Sequence, residues 1–505
     1  MTAAAGGVSG AATLLAMCSS FVSEPCLSPA ISVTMTMMIT SLVAPMTSTT
    51  KVTKPLCFDG ATALQFQIAP LLSLERLEHL DLSWNGFQEG SPRLPGSLRY
   101  LNLSNTGLGV GGDAGMVLYQ LGISNLSRLQ YLDLSNTWLE GVVPPQLSNL
   151  SNLEYLDISK IGFDGVLPPQ LGNLSKLQYL DISGNDRMNS SDMSWVEQLQ
   201  WLGYLDLGKV DLSKASNWAH AVNMVPSLRV LVLSDCKLAC ANQSLPYELR
   251  ILDLASNLLE GEFPQCSGTM SQRSALILSK NNLSGMFPSF LQDCTQLGLL
   301  DLSGNKFTGR LPIWIGDLME LQYLSLSNNL FYGNIPFTIT NLGKLHDLNL
   351  AGNSLSGAIP CRLSNLTAMA GYGKHDGGEQ DWYFDTSPSM LSVLTKGQEL
   401  HYGGFALPSM VSIDLSSNHL IGGIPEGLSS LELLKNLNLS RNYLNGKIPD
   451  KIGSMRSLES LDLSSNKFSG EIPQSLSNLS YLSYLNLSYN NLSGRIPSGS
   501  QLDTL

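Results

Sequence analysis

A pattern of two leucines and an asparagine, L-x-L-x-x-N, recurs along this 505-residue chain and constrains its fold more than any other feature. Its first Leu-type position occurs sixteen times, and nine of the fifteen successive spacings are 24 residues. Units of this length stack on one another, because a single unit cannot bury its own apolar side. The sixteen positions are Leu80, Leu101, Leu132, Leu156, Leu180, Leu205, Leu231, Leu252, Leu276, Leu300, Leu324, Leu348, Ile413, Leu437, Leu461 and Leu485.

Within each unit the two leucines alternate with a residue of the opposite face, as the period of two in a β-strand requires. We therefore expect one short strand per unit, all parallel, with the leucines forming a continuous core. Asn follows the first Leu by five residues in eleven units, where its amide can bond backbone groups in the turn leaving the strand. Nine of these form a predicted structural ladder: Asn257, Asn281, Asn305, Asn329, Asn353, Asn418, Asn442, Asn466 and Asn490.

A second signature, G-x-I/V/L/F-P, follows the Asn position by four residues in many units, for example at Gly285 and Gly309. Gly permits a turn there, and Pro fixes its own φ while removing a hydrogen-bond donor. The next segment, x-x-L-x-x-L-x-x-L, predicts a short 3₁₀-like or helical return across the convex side. The whole pattern predicts a curved, right-handed α/β solenoid of about sixteen repeats with a parallel sheet on its concave face.

Two columns of side chains are predicted to line that concave face. The residue before the first Leu is Tyr in five successive repeats, so neighbouring rings are able to stack. The residue after it is often Asp, a consensus position that we expect to face solvent. Tyr is a favoured recognition residue because it offers contact area and a hydroxyl at low entropy cost. The predicted ligand-binding strip is Tyr100, Tyr131, Tyr155, Tyr179, Tyr204, Asp133, Asp157 and Asp181. The recurrence of Tyr and Asp in these columns is explained equally well by duplication of Q-Y-L-D-L without selection for a ligand.

One long interruption divides the repeats. The spacing from Asn353 to Asn418 is 65 residues, and the inserted stretch is rich in Gly, Tyr and charge. Long insertions of this kind are functional or disordered, and its aromatic residues favour an ordered loop. The predicted organisation is an irregular segment at 1–70, repeats at 71–366, an island at 367–407 and four closing repeats at 408–505.

Composition excludes several functions. The net charge of −12 argues against a nucleic-acid partner, which would need a basic face. The eight cysteines have no zinc-type spacing, and no cofactor, metal or catalytic motif is found, so we predict that the chain is not an enzyme. N-x-S/T sequons are potential glycan sites in a secreted protein. The predicted sites are Asn102, Asn125, Asn149, Asn173, Asn242, Asn282, Asn365, Asn438 and Asn478.

The chain resembles plant-specific leucine-rich repeats, of which N-x-L-x-G-x-I-P is the hallmark. Four repeats follow the island, and K-G-Q-E-L-H-Y, beginning at Lys396, matches the element that ends the island in plant receptor-like proteins of the defence type. The resemblance assigns the island, and contact with a co-receptor, to Lys396, Gly397, Glu399 and Tyr402. The family's N-terminal cysteine cap is missing here, and the chain stops where the family continues into a cap and a membrane helix.

The resemblance implies an extracellular ligand-binding domain at the plasma membrane. It would recognise a peptide, protein or glycan and signal through leucine-rich-repeat receptor kinases acting as adaptor or co-receptor. The full-length form is then expected to carry a single membrane helix that this chain lacks. Two alternatives stay open: a secreted inhibitor of a cell-wall-degrading enzyme, similar to polygalacturonase inhibitors, and a non-functional gene fragment.

Overall fold

Short parallel strands stacked in chain order form the main sheet of the protein. The computed structural model describes residues 76–85, 94–109, 113–239, 248–263, 274–371, 390–395, 398–403 and 410–499, and all counts refer to these residues. The main sheet has sixteen strands, each centred on the first Leu-type position of a repeat. They are His79–Asp81, Tyr100–Asn102, Tyr131–Asp133, Tyr155–Asp157, Tyr179–Asp181, Tyr204–Asp206, Val230–Val232, Ile251–Asp253, Ala275–Ile277, Leu299–Asp301, Tyr323–Ser325, Asp347–Asn349, Ser412–Asp414, Asn436–Asn438, Ser460–Asp462 and Tyr484–Asn486.

The apolar core lies behind this sheet. Leu132, Leu156 and Leu180 lie side by side on paired strands and are fully buried, and the column of central leucines is buried up to the last repeat, where Leu485 is half-buried. The second leucine of each pattern points the same way and is buried beside it except for Leu487, while the residues between them face outward. One continuous apolar cluster therefore runs through the repeats, and the predicted leucine-rich-repeat solenoid is confirmed.

The Asn ladder joins each repeat to the one before it. The side-chain nitrogen of Asn305 donates to the carbonyl of Leu302 at 3.1 Å and to that of Leu278, in the preceding repeat, at 2.9 Å. Its side-chain oxygen accepts the backbone N–H of Leu283 at 3.0 Å. One buried amide thus bonds donors and acceptors that the turn leaves unpaired, and the ladder repeats this pattern with few changes from Asn257 to Asn490.

The turn before the Asn position has a left-handed backbone. Asn328, for instance, has φ 53°, and Lys280 has φ 55°. This conformation is unfavourable for most residues and easiest for Gly and Asn. Its recurrence in every repeat shows that the turn geometry is set by the packing of repeats, whichever residue occupies the position.

A second set of parallel strands, which the sequence analysis did not predict, lies around the G-x-I-P signature. Gly285 and Gly309 have φ of 92° and 94°, and the extended residues before them pair with the next repeat. One sheet has three strands, Gly141–Val142, Phe163–Val166 and Arg187–Asn189. The other has nine, Glu260–Glu262, Asn282–Met286, Lys306–Gly309, Leu330–Asn334, Ser354–Gly357, His419–Gly422, Tyr443–Gly446, Lys467–Glu471 and Asn491–Ser493.

The return segments are mostly 3₁₀-helices, as the sequence predicts. They are Ile123–Asn125, Pro145–Asn149, Pro169–Asn173, Ser194–Gln198, Ser289–Asp293, Ile313–Asp317, Phe337–Asn341, Leu363–Asn365, Glu426–Ser430, Ile452–Ser454 and Gln474–Asn478. Three short α-helices are also present, Ala114–Leu121, Trp218–Asn223 and Thr367–Ala370. No helix in the described part of the chain is long and apolar enough to cross a membrane.

Candidate functional site

The candidate site is the outward face of the main sheet over its first six strands. In-register pairing places Tyr131 beside Tyr155 and Tyr155 beside Tyr179. Neighbouring ring centroids are 3.9 to 4.2 Å apart, and the interplanar angles are 9 to 13°. We call these six residues the aromatic stack: His79, Tyr100, Tyr131, Tyr155, Tyr179 and Tyr204. Stacking of the five tyrosines follows from their spacing in the sequence, whereas His79, which holds the same position one strand earlier, was not predicted.

The aromatic stack directs ring edges and hydroxyl groups outward from the sheet. Each inner ring has another ring against both faces, so the faces are already occupied. Tyr131, Tyr155 and Tyr179 are half-buried, while Tyr204 is only 8% exposed. Burial raises the pKa of the Tyr131 hydroxyl, and nearby Tyr155 and Asp133 raise it further. The hydroxyls therefore stay protonated at physiological pH and remain able to donate hydrogen bonds.

The Asp column is less exposed than the sequence analysis expected, and that expectation was wrong. Asp133 and Asp181 are buried, and Asp157 is half-buried. In each aspartate, Oδ1 accepts a hydrogen bond from the backbone N–H two residues later. The donors to Asp133, Asp157 and Asp181 are Ser135, Ser159 and Ser183, at 2.9, 2.9 and 2.8 Å respectively. These aspartates thus stabilise the turn that follows each strand, as Asx-turns do. One oxygen of each stays uninvolved in that turn bond.

Crowding of these carboxyl groups changes their ionisation. Burial raises the pKa of Asp157 to about 7, with further contributions from the charges of Asp181 and Asp133. The pKa of Asp133, of Asp181 and of Asp206 is also raised, mainly by burial. Near neutral pH the column therefore holds protons that isolated aspartates would have lost.

Beyond Tyr204 the same two columns change character. An apolar cluster continues from the stack and is buried: Val230, Val232, Ile251, Ala275, Ile277, Leu299 and Tyr323. Over the closing repeats the first column becomes polar, with Ser412, Asn436 and Ser460. The apolar middle section was not singled out from the sequence, although its residues hold the positions that Tyr and Asp hold earlier. The sheet face therefore has three chemically different sections on one regular backbone.

The island residues lie partly outside the described residues. Strand Asp347–Asn349 pairs directly with Ser412–Asp414, so the main sheet continues across the insertion. Within the insertion, strands Met390–Thr395 and Gln398–Gly403 pair in antiparallel fashion. Glu399 and Tyr402 belong to the second strand, opposite Leu394 and Leu391. Lys396 and Gly397 lie outside the described residues.

The predicted glycan sites differ in accessibility. Asn125, Asn149, Asn173, Asn365 and Asn478 each end a 3₁₀-helix and are exposed, and Asn282 is exposed on the second set of strands. Asn102 is half-buried on the main sheet, where its side-chain oxygen accepts the backbone N–H of Ser104. Asn438 is buried and donates its amide to Asp414 at 3.1 Å, so its side chain is not accessible to a glycan in the folded chain. Asn242 lies outside the described residues.

The cysteines that the structure describes lie apart from one another along the repeats. Cys236 and Cys294 are buried thiols that take part in no disulfide, whereas Cys361 is exposed. Cys240, which the sequence places near Cys236, is not among the described residues. Within the described ranges, no group of three or more His, Cys, Asp or Glu residues could hold a metal ion.

Comparison with protein families matches leucine-rich repeats over more than half of the chain. A leucine-rich repeat region matches residues 97–260, and further leucine-rich repeats match 271–331, 408–468, 76–98, 344–366 and 481–501. Among curated proteins, the chain is 34% identical over 216 residues to receptor-like protein EIX1 of Solanum lycopersicum. That match covers 40% of this chain and only 16% of the length of the tomato protein.

Solved structures show the same fold. The crystal structure titled PEPR1-AtPEP1 has a TM-score of 0.56 at 23% identity, covering 85% of this chain and 64% of that chain. A TDR receptor gives 0.56 at 23% identity, covering 85% and 83%. The leucine-rich-repeat protein LIC12759 of Leptospira interrogans gives 0.53 at 22% identity, covering 94% and 95%. Identities this low establish a shared solenoid and nothing more specific.

Proposed function

We propose that this chain, which belongs to the leucine-rich-repeat family and is of the plant receptor-like type, is the ligand-binding ectodomain of a cell-surface receptor. Its ligand is an extracellular peptide or protein that lies along the aromatic stack. Binding is relayed to the cell by partner receptor kinases in defence or development. The observation that carries this proposal is the stack itself, six nearly parallel rings stacked face to face on the outward face of the sheet.

The chemistry of the stack supports an extended polypeptide ligand. Its ring faces are occupied by neighbouring rings, so a ligand meets ring edges, tyrosine hydroxyls and the outer carboxyl oxygens. These groups donate and accept hydrogen bonds at regular intervals of one strand, roughly 4.8 Å. An extended chain offers alternating N–H and C=O groups with a repeat of similar scale, and tyrosine is well suited to such contacts.

The rigidity of this surface also favours recognition. The stack is built on the strands of a continuous sheet, and each ring is held between two others. A preorganised surface loses little conformational entropy when a ligand binds, which improves affinity for a given contact area. Sites built on strands are also positioned more accurately than sites on loops.

By resemblance, the island assists the partner kinase. We infer that Lys396, Gly397, Glu399 and Tyr402 contact a short leucine-rich-repeat co-receptor near the closing repeats. Glu399 and Tyr402 lie on one strand of an antiparallel pair inside the insertion, outside the repeats that carry the stack, which supports a separate role for them. Replacing both residues with Ala should leave ligand affinity unchanged and remove ligand-dependent association with the co-receptor ectodomain in size-exclusion chromatography.

The experiment that tests the function begins with selection of a displayed library of linear peptides on the purified chain. Selected peptides are then titrated against the wild type and a Tyr131→Ala, Tyr155→Ala, Tyr179→Ala triple variant. We expect the wild type to bind the selected peptides with micromolar or lower dissociation constants. The triple variant should bind them at least tenfold more weakly, and its circular dichroism spectrum should match that of the wild type. Equal affinity for the folded triple variant would contradict the proposal, as would a library that yields no binder.

A further inference from the structure

A groove with a volume of about 700 Å³ opens at the edge of the main sheet where the strands of the early repeats end. Trp84 and Trp138 line it, and Gly107, Gly162 and Gly184 leave its floor open. The groove is separate from the aromatic stack, because Trp84 and its counterparts follow the strands by three residues, whereas the stacked rings begin them. A ligand in the groove would therefore be distinct from a ligand on the stack.

Local sequence explains why a groove forms here. Trp138 follows the Asn position of its repeat, and the neighbouring repeats have Gly107 and Gly162 at that place. Without side chains on either side, the indole of Trp138 is uncovered. Arg187 closes one end, where its Nη2 donates to the carbonyl oxygen of Gly162 at 2.6 Å. A side chain at residue 162 would meet that guanidinium, since a Cβ there would lie 3.5 Å from Nη2.

Both indoles are unusually exposed for their size, at 67% for Trp84 and 66% for Trp138. Trp84 also has a left-handed backbone, with φ 61°. The next two repeats place Asn105 and Asn136 at the equivalent position, and Asn tolerates that conformation better than a bulky aromatic residue. Two large indoles left this exposed on one groove add nothing to the apolar core, so their placement points to a binding role.

Polar groups complete the lining. Asn136 donates its side-chain amide to Asn105 at 2.7 Å, which fixes two amides beside the indoles. Glu140 adds an acceptor, and Lys160 and Arg187 add two cations to a chain with a net charge of −12. Among the described residues, neither cation forms a salt bridge. The groove thus combines two flat apolar faces with hydrogen-bonding groups and with two cations beside one carboxylate.

We propose that this groove binds an oligosaccharide that carries carboxylate groups. The C–H face of a sugar ring packs on an indole, and the ring hydroxyls bond amides and carboxylates such as those of Asn136 and Glu140. The strands before Trp84 and Trp138 are two spacings apart, about 10 Å, so the two indoles reach different rings of one extended chain. Lys160 and Arg187 pair with the sugar carboxylates, for which a guanidinium is especially suited.

The test titrates the whole chain with a hexamer of 1,4-linked galacturonic acid and, for comparison, with neutral cellohexaose. Calorimetry and tryptophan fluorescence should both detect the acidic hexamer, with at least fivefold weaker binding of the neutral one. Trp138→Ala should weaken binding of the acidic hexamer at least tenfold. Trp201→Ala, a matched control at a residue that is 70% exposed and outside the groove, should leave it unchanged.

Two further variants separate binding from folding. Trp84→Asn introduces the residue found in the next two repeats, so the melting temperature should stay level or rise while the acidic hexamer no longer binds. Lys160→Gln with Arg187→Gln should remove the preference for the acidic hexamer over cellohexaose. Failure of the acidic hexamer to bind the wild type would overturn the proposal, and so would equal binding to Trp138→Ala and Trp84→Asn or equal affinity for the two hexamers.

Discussion

The early strands of the main sheet and the strands of the closing repeats have the same backbone but different outward side chains. Around Leu156 and around Leu437 the buried leucines, the three-residue strands and the left-handed turns are the same. The outward residue before these leucines is Tyr155 in one case and Asn436 in the other. The fold depends on the inward positions and on the turns, so the outward columns are free to vary and can carry recognition.

The Asp column differs between the two ends in a way that affects charge. Early strands carry Asp in four successive repeats, from Asp133 to Asp206, whereas the closing repeats alternate Asp with Asn. In the closing repeats each Asn donates to the Asp before it: Asn438 to Asp414 at 3.1 Å and Asn486 to Asp462 at 3.3 Å. In the closing repeats, alternation of Asp with Asn thus replaces repulsion between like charges by hydrogen bonds. The Asp column of the early strands lacks that stabilisation.

The Asn ladder behind the sheet should give the largest difference in stability between the early and the closing repeats. The Asn442 amide bonds three carbonyl groups, including those of Leu415 and Leu439, and accepts the N–H of Leu420. At the equivalent early position, Thr137 makes one bond, to Leu134. Asn442→Ala should therefore lower the free energy of unfolding by about 3 kcal/mol and Thr137→Ala by about 1 kcal/mol. Urea unfolding measures both, and equal losses would contradict the comparison.

A smaller difference in the free energy of unfolding should depend on pH, through the Asp column. The folded pKa of Asp157, about 7, lies above its unfolded value, so the folded chain binds more protons between them and its stability falls as pH rises through this range. Asp157→Asn introduces the alternation seen in the closing repeats. It should raise the free energy of unfolding by about 1 kcal/mol at pH 8 and change it little at pH 4.

The control for this prediction is Asp462→Asn. Asp462 accepts bonds from Tyr484 and Asn486, both at 3.3 Å, so its replacement should destabilise the chain at pH 8 rather than stabilise it. Thermal unfolding at the two pH values compares the variants. A gain for Asp157→Asn that is as large at pH 4 as at pH 8 would rule out the crowded carboxylates as its cause.

The smallest expected effect concerns a single hydroxyl of the stack. Tyr155→Phe keeps the ring between Tyr131 and Tyr179, so the free energy of unfolding should change by less than about 0.5 kcal/mol. Loss of one hydrogen bond should lower the affinity of a peptide selected on the stack by about fivefold. Tyr484→Phe, in the same column at the other end of the sheet, should leave that affinity unchanged. Calorimetry on both variants decides whether the hydroxyls take part.

The repeating inward positions made most of the fold predictable. Each of the sixteen strands is centred where the L-x-L pattern places it, and the ladder bonds of Asn305 and Asn442 follow from one amide recurring at one position. The aromatic stack was predictable too, because in-register strands bring equal positions together. These features depend on sequence spacing alone, and spacing is visible in the sequence.

Features that depend on the relation between neighbouring repeats were missed. The second set of strands forms because extended residues before Gly285 and Gly309 pair across repeats, and no alternating apolar pattern marks them. The burial of Asp133 and Asp181 arises because each side chain turns back onto its own turn. The groove at Trp84 and Trp138 depends on glycines in adjacent repeats, which are ordinary residues when read one repeat at a time.

The central claim, that ligand recognition belongs to the early end of the sheet face, is tested most directly by matched triple variants. One carries Tyr131→Ala, Tyr155→Ala and Tyr179→Ala, and the other Ser412→Ala, Asn436→Ala and Ser460→Ala in the same column. The affinity of a peptide selected on the wild type is measured for both by calorimetry. We expect at least a tenfold loss for the tyrosine variant and less than a twofold change for the other. A loss confined to the serine and asparagine variant would contradict the account.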